Sequence, residues 1–261
     1  MQPRRDNASS CVRPTEPDQS FLLASDVDGP LLGDEEGAMS FSVFVHYYSD
    51  SFHLALVTGR SLASVKELLE QERLPRPDYI CSSVGSELFD YGDPDNTIGH
   101  KYAAQVSPEW DLEMIYALGE GEGIYRQEFP DGQPHFQAGF FWNGREETLA
   151  AFRERLVGQK GIRILPSYGQ YIDVFPDLVG KGHVVHFLQR ELEIDPARVV
   201  VAGDSGNDAE MFQTEYKGIV PANGLDEIRA IACHPRHYRS PFPAARGVID
   251  GLRYFGFVEI V

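Results

Sequence analysis

Short runs of almost wholly apolar residues recur along the chain, and each ends abruptly in polar or glycine-rich residues. Residues 21–24, 52–57 and 198–202 have this pattern. Runs of this length bounded by turn residues are typical of strands that are buried on both faces of a parallel sheet. Residues 79–83 and 218–220 predict two further strands of the same kind.

Helical spacing fills the segments between these strands. Residues 35–48 are dense in apolar side chains, and a second helix is predicted to begin after Ser61 as its N-cap and to end before Pro75. Repeated strand, turn and helix units indicate right-handed crossovers and therefore an α/β fold around a parallel sheet. Later helices are predicted over 183–192, 225–232 and 247–254, with a short one through Met211 and Phe212.

The middle of the chain has a different pattern of residues. Aromatic residues become frequent, and the pattern predicts helix, strand, strand, helix, strand and strand between Trp110 and Phe175. Two of these strands are predicted over 124–129 and 135–142, and His135 and Gln137 share a face of the second. We therefore expect an α+β module inserted into the sheet domain. The predicted divisions are a disordered leader over 1–20, a core over 21–97 and 177–261, and the inserted module over 98–176.

Composition narrows the possible partners and locations. A net charge of −17 argues against a nucleic acid or an anionic membrane as partner, since both require a basic surface. The first twenty residues lack the apolar region of a signal peptide, and no run approaches the roughly 20 apolar residues of a membrane helix. Three scattered cysteines do not form a disulfide framework. A cytoplasmic protein, monomeric or weakly self-associating, is expected.

Candidate chemistry lies in four loops that an α/β sheet would bring together. Taken singly, each has a simple structural explanation: an Asp-rich turn, a Thr-Gly turn, or a lysine facing solvent. Taken in this order they favour a shared site, because carboxylates and amides after buried strands suit a metal ion. The four groups are Asp26 with Asp28, Thr58 with Gly59, Lys181, and Asp204 with Asn207 and Asp208.

These motifs resemble those of the haloacid dehalogenase superfamily of aspartate-nucleophile phosphatases. The stretches that carry the likeness include LLASDVDGPLLGD (22–34), YIDVFPDLVGKG (171–182) and VVAGDSGNDAEMF (200–212). Within the type IIB branch, the chain is similar to the sucrose-phosphate phosphatase and mannosylfructose-phosphate phosphatase group. The resemblance implies a Rossmann-like core with an inserted α+β cap of the C2 type, and hydrolysis of a sugar phosphate, such as sucrose 6-phosphate or mannosylfructose phosphate.

Site roles also follow from this resemblance. Asp26 is implied as the nucleophile and Asp28 as the acid and base, with Mg²⁺ held by Asp26, the Asp28 backbone carbonyl and Asp204. The phosphoryl group would be bound by Thr58, Gly59, Lys181 and Asn207, while Asp208 adjusts the metal and Lys181. Candidate substrate contacts are Arg60, Gly85, Gln127, His135 and Gln137.

One position departs from the family pattern. Residue 30 is Pro where the first motif usually has Thr, so the hydroxyl and the N–H at this position are absent. We expect a modest loss of rate or a neighbour that compensates. The alternatives are a phosphomutase, which would need Arg126 or Arg145 to grip a second phosphate, a non-catalytic sugar-phosphate binder, and a broad housekeeping phosphatase.

Overall fold

Eleven strands form two sheets in the part of the chain that the structure describes. The structure, a computed structural model, describes residues 20–106, 109–167 and 169–259, so the predicted leader lies outside the described residues except for Ser20. The strands are β1 (Phe21–Ser25), β2 (Phe52–Val57), β3 (Tyr79–Ser82), β4 (Glu87–Asp90), β5 (Ile124–Arg126), β6 (Ala138–Trp142), β7 (Ile162–Ser167), β8 (Tyr171–Pro176), β9 (Val199–Ala202), β10 (Lys217–Val220) and β11 (His237–Arg239).

Nine α-helices connect the strands within the described ranges. Among these residues, no helix combines the length and the apolar character needed to cross a membrane. The helices are α1 (Glu35–Tyr48), α2 (Leu62–Glu70), α3 (Thr97–Val106), α4 (Leu112–Gly119), α5 (Glu146–Leu156), α6 (Lys181–Glu191), α7 (Ala209–Phe212), α8 (Asp226–Ile231) and α9 (Ala244–Tyr254).

The seven-stranded sheet, here called the core sheet, has the order β11-β10-β9-β1-β2-β3-β4. All neighbours are parallel except β3 and β4. Alternate residues of β1 enter different hydrophobic clusters: Phe21 and Leu23 pack with α1, α2 and α9, whereas Leu22 and Ala24 pack with α3, α6 and α7. Helices therefore cover both faces, which confirms the predicted α/β fold.

The four-stranded sheet, here called the cap sheet, is antiparallel with the order β5-β6-β8-β7. Ile172 and Val174 of β8 face a hydrophobic cluster shared with α4 and α5. Phe175 has the opposite orientation and packs in the core-sheet cluster that contains Val179. Because side chains alternate along a strand, the cap sheet has one face on its own helices and one towards the core sheet. The predicted domain bounds stay a prediction.

The predicted strand over 135–142 begins only at Ala138, and the one over 124–129 ends at Arg126. The segment between them contains Pro130, Pro134 and an Asp-Gly turn, so it forms a loop rather than a hairpin of long strands. Three elements that the pattern did not predict are α3, β4 and β11. The first turn of α3 is rich in poor helix formers, and its stability comes from Tyr102 and Val106, which pack in the core-sheet cluster.

Candidate active site

Three loops meet at the carboxyl ends of adjacent core strands and enclose a cavity of about 380 Å³. They follow β1, β2 and β9, which are neighbours in the sheet. Ligands of open α/β sheets bind at this edge. The lining residues are Asp26, Asp28 and Gly29 of the first loop, Gly59 and Arg60 of the second, and Asp204, Ser205 and Asn207 of the third.

A buried ion cluster lies beneath the cavity. Lys181, the first residue of α6, is 0% exposed, and its Nζ lies 3.0 Å from Asp26 Oδ2 and 2.7 Å from Asp208 Oδ1. Asp26 is 4% exposed, and its Oδ1 accepts a hydrogen bond from the Val27 N–H at 2.7 Å. A buried charge is tolerated only when it is paired and hydrogen-bonded, and each member of this cluster meets that condition.

Asp208 organises the third loop as well as the lysine. Its Oδ2 accepts hydrogen bonds from the backbone N–H groups of Asp204 at 2.9 Å and Ser205 at 3.1 Å, while its Oδ1 faces Lys181. A Cβ at Gly203 would lie 2.5 Å from the Asp208 Cβ, so the close approach of this side chain requires glycine there. Asp208 therefore couples the position of Asp204 to that of Lys181.

Burial shifts the acid–base properties of the cluster. Removal from water raises the pKa of Asp26 to about 7, against the effect of Lys181 and with a further contribution from Asp208. Burial and Asp208 likewise raise the pKa of Asp204 to about 6. Burial opposes the charge of Lys181, but the attraction of Asp26 and Asp208 is stronger and its pKa is raised. Negative charge is thus in excess at this point of the molecule.

The donor set fits a hard divalent cation. Carboxylate oxygens of Asp26, Asp204 and Asp208 all lie within 4.8 Å of one another, and three carboxylates face one ammonium. The Asp204 carboxylate sits directly over Gly29, where an added Cβ would lie 2.0 Å from its Oδ2. Oxygen-rich clusters with surplus negative charge are suited to Mg²⁺.

Asp28 differs from Asp26 in exposure and partner. Its side chain is 54% exposed, and both carboxylate oxygens accept hydrogen bonds from the Arg60 guanidinium at 2.7 Å. This two-point contact is a geometrically specific form of ion pair. The predicted substrate residue Arg60 is therefore placed at the cavity wall, in direct contact with the predicted acid–base residue.

The predicted phosphate-binding residues divide into two groups. Gly59 and Asn207 line the cavity, whereas Thr58 is fully buried and its hydroxyl accepts a hydrogen bond from the Arg60 N–H at 3.2 Å. The Asn207 Oδ1 lies 3.4 Å from Lys181 Nζ and accepts a bond from the Ser205 hydroxyl at 2.9 Å. Ser205, a residue of the glycine-rich third motif, also lines the cavity but was missing from the predicted set.

The described residues of the inserted segment contact the core but do not line this cavity. Gln137 is nearly buried, His135 is exposed, and both precede β6, so the prediction that they share a strand face was wrong. The loop between β5 and β6 folds onto the core, where Asp131 accepts a hydrogen bond from the Ser61 hydroxyl at 2.7 Å. The Gln127 N–H donates to the Gly139 carbonyl at 2.8 Å, at the edge of the cap sheet.

Gly85 serves backbone packing in the core. Its φ is +83°, and an added Cβ would lie 2.6 Å from the Gly180 carbonyl oxygen, immediately before Lys181. The Gly85 carbonyl also accepts a hydrogen bond from the Tyr102 hydroxyl at 2.6 Å. Gly85, which was predicted to touch the substrate, thus lies at a close contact between two loops behind the cavity.

One cap residue that the sequence analysis did not single out is Asp173. It is half-buried on β8, and its Oδ1 accepts a hydrogen bond from Gln137 Nε2 at 2.8 Å. It shares its strand face with Phe175, so it faces the space between the two sheets. Burial raises its pKa, and the hydrogen bond from Gln137 partly offsets this. The alternation of polar and apolar residues in YIDVFP was the signal available for it.

The two arginines required by a phosphomutase are placed elsewhere. Arg126 forms an ion pair with Glu113 at 3.1 Å and lies 3.8 Å from the centre of the Tyr116 ring, on the side of the cap helices. Arg145 is an exposed N-cap of α5. Neither lines the cavity that contains Asp26.

Two larger clefts, of about 650 and 660 Å³, lie at the amino ends of core strands. One borders the start of β2 and the other the start of β10. Size alone would favour them, but the clustered carboxylates and the buried lysine are at the opposite edge. The chemistry therefore identifies the smaller cavity as the candidate site.

Comparison with known sequences shows the family of the chain. The model of the sucrose-6F-phosphate phosphohydrolase family matches residues 19–256. Mannosylfructose-phosphate phosphatase of Agrobacterium fabrum is 30% identical over 246 residues, which cover 90% of this chain and 96% of that one. Glucosylglycerol-phosphate synthase of Pseudomonas anguilliseptica is 33% identical over 249 residues, but the chain spans only 31% of that longer protein.

Solved structures show the same fold. A sucrose-phosphatase from Synechocystis, determined in complex with sucrose and phosphate, has a TM-score of 0.77 at 26% identity, covering 92% of this chain and 99% of that one. A haloacid dehalogenase subclass IIB sugar phosphatase has a TM-score of 0.64 at 17% identity, covering 91% and 100% of the two chains. The second likeness concerns the fold alone.

Proposed function

The chain belongs to the sucrose-6F-phosphate phosphohydrolase family of haloacid dehalogenase phosphatases, and on that premise we propose that it hydrolyses a disaccharide phosphate with Mg²⁺ and an Asp26 phosphoenzyme. One observation supports the proposal more strongly than the others. The buried Asp26, Lys181 and Asp208 and the half-buried Asp204 form one cluster at the floor of an open cavity, at the carboxyl ends of β1 and β9.

In the first step, a carboxylate oxygen of Asp26 bonds to phosphorus while the bond from phosphorus to the sugar oxygen breaks. Asp28 gives a proton to that oxygen, so the sugar leaves as a neutral alcohol. The position of Asp26 supports this role, because its hydrogen bond from Val27 and its contact with Lys181 fix the carboxylate at the cavity floor.

In the second step, Asp28 takes a proton from a water molecule whose oxygen attacks phosphorus. The bond from phosphorus to Asp26 breaks, inorganic phosphate leaves, and both carboxylates return to their starting state. Asp28 suits this task better than Asp26 because it is the exposed member of the pair and lines the cavity.

Mg²⁺ would be held by the side chains of Asp26 and Asp204 and by the Asp28 backbone carbonyl, and it would supply positive charge to the phosphoryl oxygens. Asp208 accepts a hydrogen bond from the Asp204 N–H and pairs with Lys181, so it would position these two residues without binding the metal itself.

The phosphoryl oxygens would be bound by Lys181, Asn207 and the Gly59 N–H. Arg60 occupies both oxygens of Asp28 in the structure. A dianionic phosphoryl group is a competing partner for a guanidinium, so substrate binding would draw Arg60 from Asp28 and free the acid–base oxygen.

The leaving group would lie against the open face of the cap sheet. Asp173 and Gln137 offer a carboxylate and an amide there, the groups that sugar hydroxyls bind. Arg163, on the same face, is already paired with Glu210 and with the Val179 carbonyl. A negatively charged contact surface supports a neutral sugar over a second phosphate, and so favours a phosphatase over a phosphomutase.

The test is phosphate release from a panel of sucrose 6-phosphate, mannosylfructose phosphate, glucose 6-phosphate and mannose 1-phosphate, each with Mg²⁺ and with EDTA. We expect Mg²⁺-dependent release with a preference for one disaccharide phosphate of a hundredfold or more in kcat/KM. Equal, weak release from all four would contradict the substrate proposal. No release with Mg²⁺ would leave a non-catalytic binder as the better explanation.

A further inference from the structure

The loop over 221–225, between β10 and α8, contacts two of the catalytic loops at once. The side-chain amide of Asn223 donates a hydrogen bond to the Gly29 carbonyl at 3.1 Å. Two residues later, the Leu225 N–H donates to the Asp204 carbonyl at 2.7 Å. One short loop is therefore bonded to the loop of Asp26 and Asp28 and to the loop of Asp204.

This loop is itself held firmly in place. The Asn223 Oδ1 accepts a hydrogen bond from the Ala244 N–H at 2.7 Å, and the Ala222 N–H donates to the Phe242 carbonyl at 2.9 Å. Ala244 has a φ of +46°, which a non-glycine residue adopts only when its surroundings hold it there. Both polar groups of the Asn223 side chain are thus used, one on the start of α9 and one on Gly29.

The contact with Gly29 lies next to Pro30 in the first loop. Pro30 supplies neither an N–H nor a hydroxyl, and the remaining bonds of the turn are those of the Leu31 and Leu32 N–H groups to the Val27 carbonyl, at 3.2 and 2.9 Å. These bonds close the turn on itself, and the Asp26 N–H joins the start of the loop to β9 by donating to the Ala202 carbonyl at 2.9 Å. Asn223 adds a bond from outside at Gly29, and the Leu225 N–H of the same short loop bonds to the Asp204 carbonyl.

We propose that Asn223 is a positioning residue that sets the spacing between Gly29 and Asp204, and with it the spacing of the carboxylates that hold the metal. The proposal rests on the proposed function. It follows from the Asp204 carboxylate lying in contact with Gly29, so that any shift of Gly29 changes the position of an oxygen ligand.

The chain offers a matched control for this role. Asn96 also uses both side-chain groups on backbone: its Nδ2 donates to the Leu88 carbonyl and its Oδ1 accepts from the Asp90 N–H, each at 3.0 Å. These bonds hold the edge strand β4, away from β1 and β9. Asn223→Ala and Asn96→Ala therefore remove the same two bonds at different places.

The experiment measures, for the full chain and each variant, the Mg²⁺ concentration that half-saturates phosphate release and the rise in thermal midpoint caused by Mg²⁺ alone. In Asn223→Ala we expect a 5- to 30-fold higher half-saturating concentration, a smaller Mg²⁺-induced rise and a lower kcat with KM unchanged, because the bond to Gly29 is one of the two that are lost. Asn96→Ala should lower the thermal midpoint but leave the Mg²⁺ response unchanged. Asn223→Gln, which keeps the amide, should recover part of it.

Equal Mg²⁺ responses of Asn223→Ala and Asn96→Ala would overturn the proposal and leave Asn223 a purely structural residue. If Asn223→Ala does not fold, Asn223→Ser takes its place in the same comparison. Absence of turnover in the wild type would instead count against the proposed function, and the Mg²⁺-induced thermal shift would still decide the role of Asn223.

Discussion

The carboxylate loops of the core sheet and the open face of the cap sheet differ in how far their charged side chains are buried and paired. In the core, Asp26, Lys181 and Asp208 are almost wholly buried and pair with one another at 2.7 to 3.0 Å. On the cap sheet, Asp173 is half-buried, and among the described residues it has a hydrogen bond from Gln137 but no ion pair.

The difference separates two tasks. The core cluster supports itself before any ligand arrives, because each buried charge already has a partner. The cap carboxylate keeps acceptor capacity that a ligand can use, since among the described residues only one of its oxygens has a hydrogen-bond donor, Gln137. Changes in the core should therefore act on the chemistry and the stability of every reaction, and changes on the cap face should act on the choice of substrate.

The largest effect is expected at the nucleophile. Asn in place of Asp26 cannot form the acyl phosphate, so Asp26→Asn should lower kcat by roughly 10⁴-fold or more on every substrate. The loss is measured as phosphate release at saturating substrate. Trapped phosphoprotein, seen by mass spectrometry after rapid acid quench, should disappear with it.

The control for this substitution is Asp250→Asn. Asp250 is a hydrogen-bonded carboxylate of the same sheet domain, where it accepts from Tyr238 and Ser240 at 2.9 and 2.7 Å. This variant should keep activity within a fewfold of the wild type. A wild-type level of turnover in Asp26→Asn would contradict the division of tasks between core and cap, since the core cluster would then not perform the reaction.

Lysine substitutions test the burial of the core charges. Lys181→Met leaves Asp26 and Asp208 buried without a cation, which should lower the free energy of unfolding by about 3–5 kcal/mol. The exposed pair of Lys101 with Glu191, 2.9 Å apart, provides the contrast, and Lys101→Met should cost less than about 1 kcal/mol. Urea denaturation in EDTA measures both. Similar costs would show that Lys181 is not isolated from solvent.

The core site could be predicted from sequence because its parts are local. Asp26, Asp28, Asp204, Asn207 and Asp208 each lie within a few residues of a strand end, so predicting the strands also placed these side chains at one edge. The bond of Asp28 to Arg60 was not predictable, since it joins residues 32 apart in the chain. The positions of these five core-site residues support their predicted roles, which stay predictions.

The cap face could not be predicted in the same way. The pair of Asp173 and Gln137 joins residues 36 apart, and its orientation depends on where β6 begins. A three-residue error in that boundary placed His135 and Gln137 on one face. The helix α3 was missed because its tertiary contacts, rather than its intrinsic propensity, stabilise it. Where function depends on packing between distant segments, pattern alone is insufficient.

Proton competition provides a test of intermediate size. Asp26 and Asp204, with pKa values raised by burial to about 7 and about 6, hold protons that Mg²⁺ must displace. Affinity for Mg²⁺ should therefore rise with pH, by roughly 100-fold between pH 5.5 and 7.5, and level off above. Calorimetry in two buffers of different ionisation enthalpy measures the affinity and the released protons. A flat profile would show that neither carboxylate meets the ion.

The smallest effect is expected on the cap face, and it sharpens the comparison most. Asp173→Asn keeps the size of the side chain but removes the charge that sugar hydroxyls would bind, so kcat/KM for a disaccharide phosphate should fall about tenfold. Turnover of a small phosphate ester such as p-nitrophenyl phosphate should change less than twofold, because the ester does not reach the cap sheet.

A matched cap variant separates charge from position in this experiment. Glu113→Gln removes a carboxylate from the helix side of the cap, where it pairs with Arg126. This variant should change the turnover of neither substrate. If Asp173→Asn slows both substrates equally, the cap carboxylate serves the chemistry rather than the choice of sugar. The division of tasks between the two sheets would then be wrong, because a charge on the cap face would contribute to phosphoryl transfer itself.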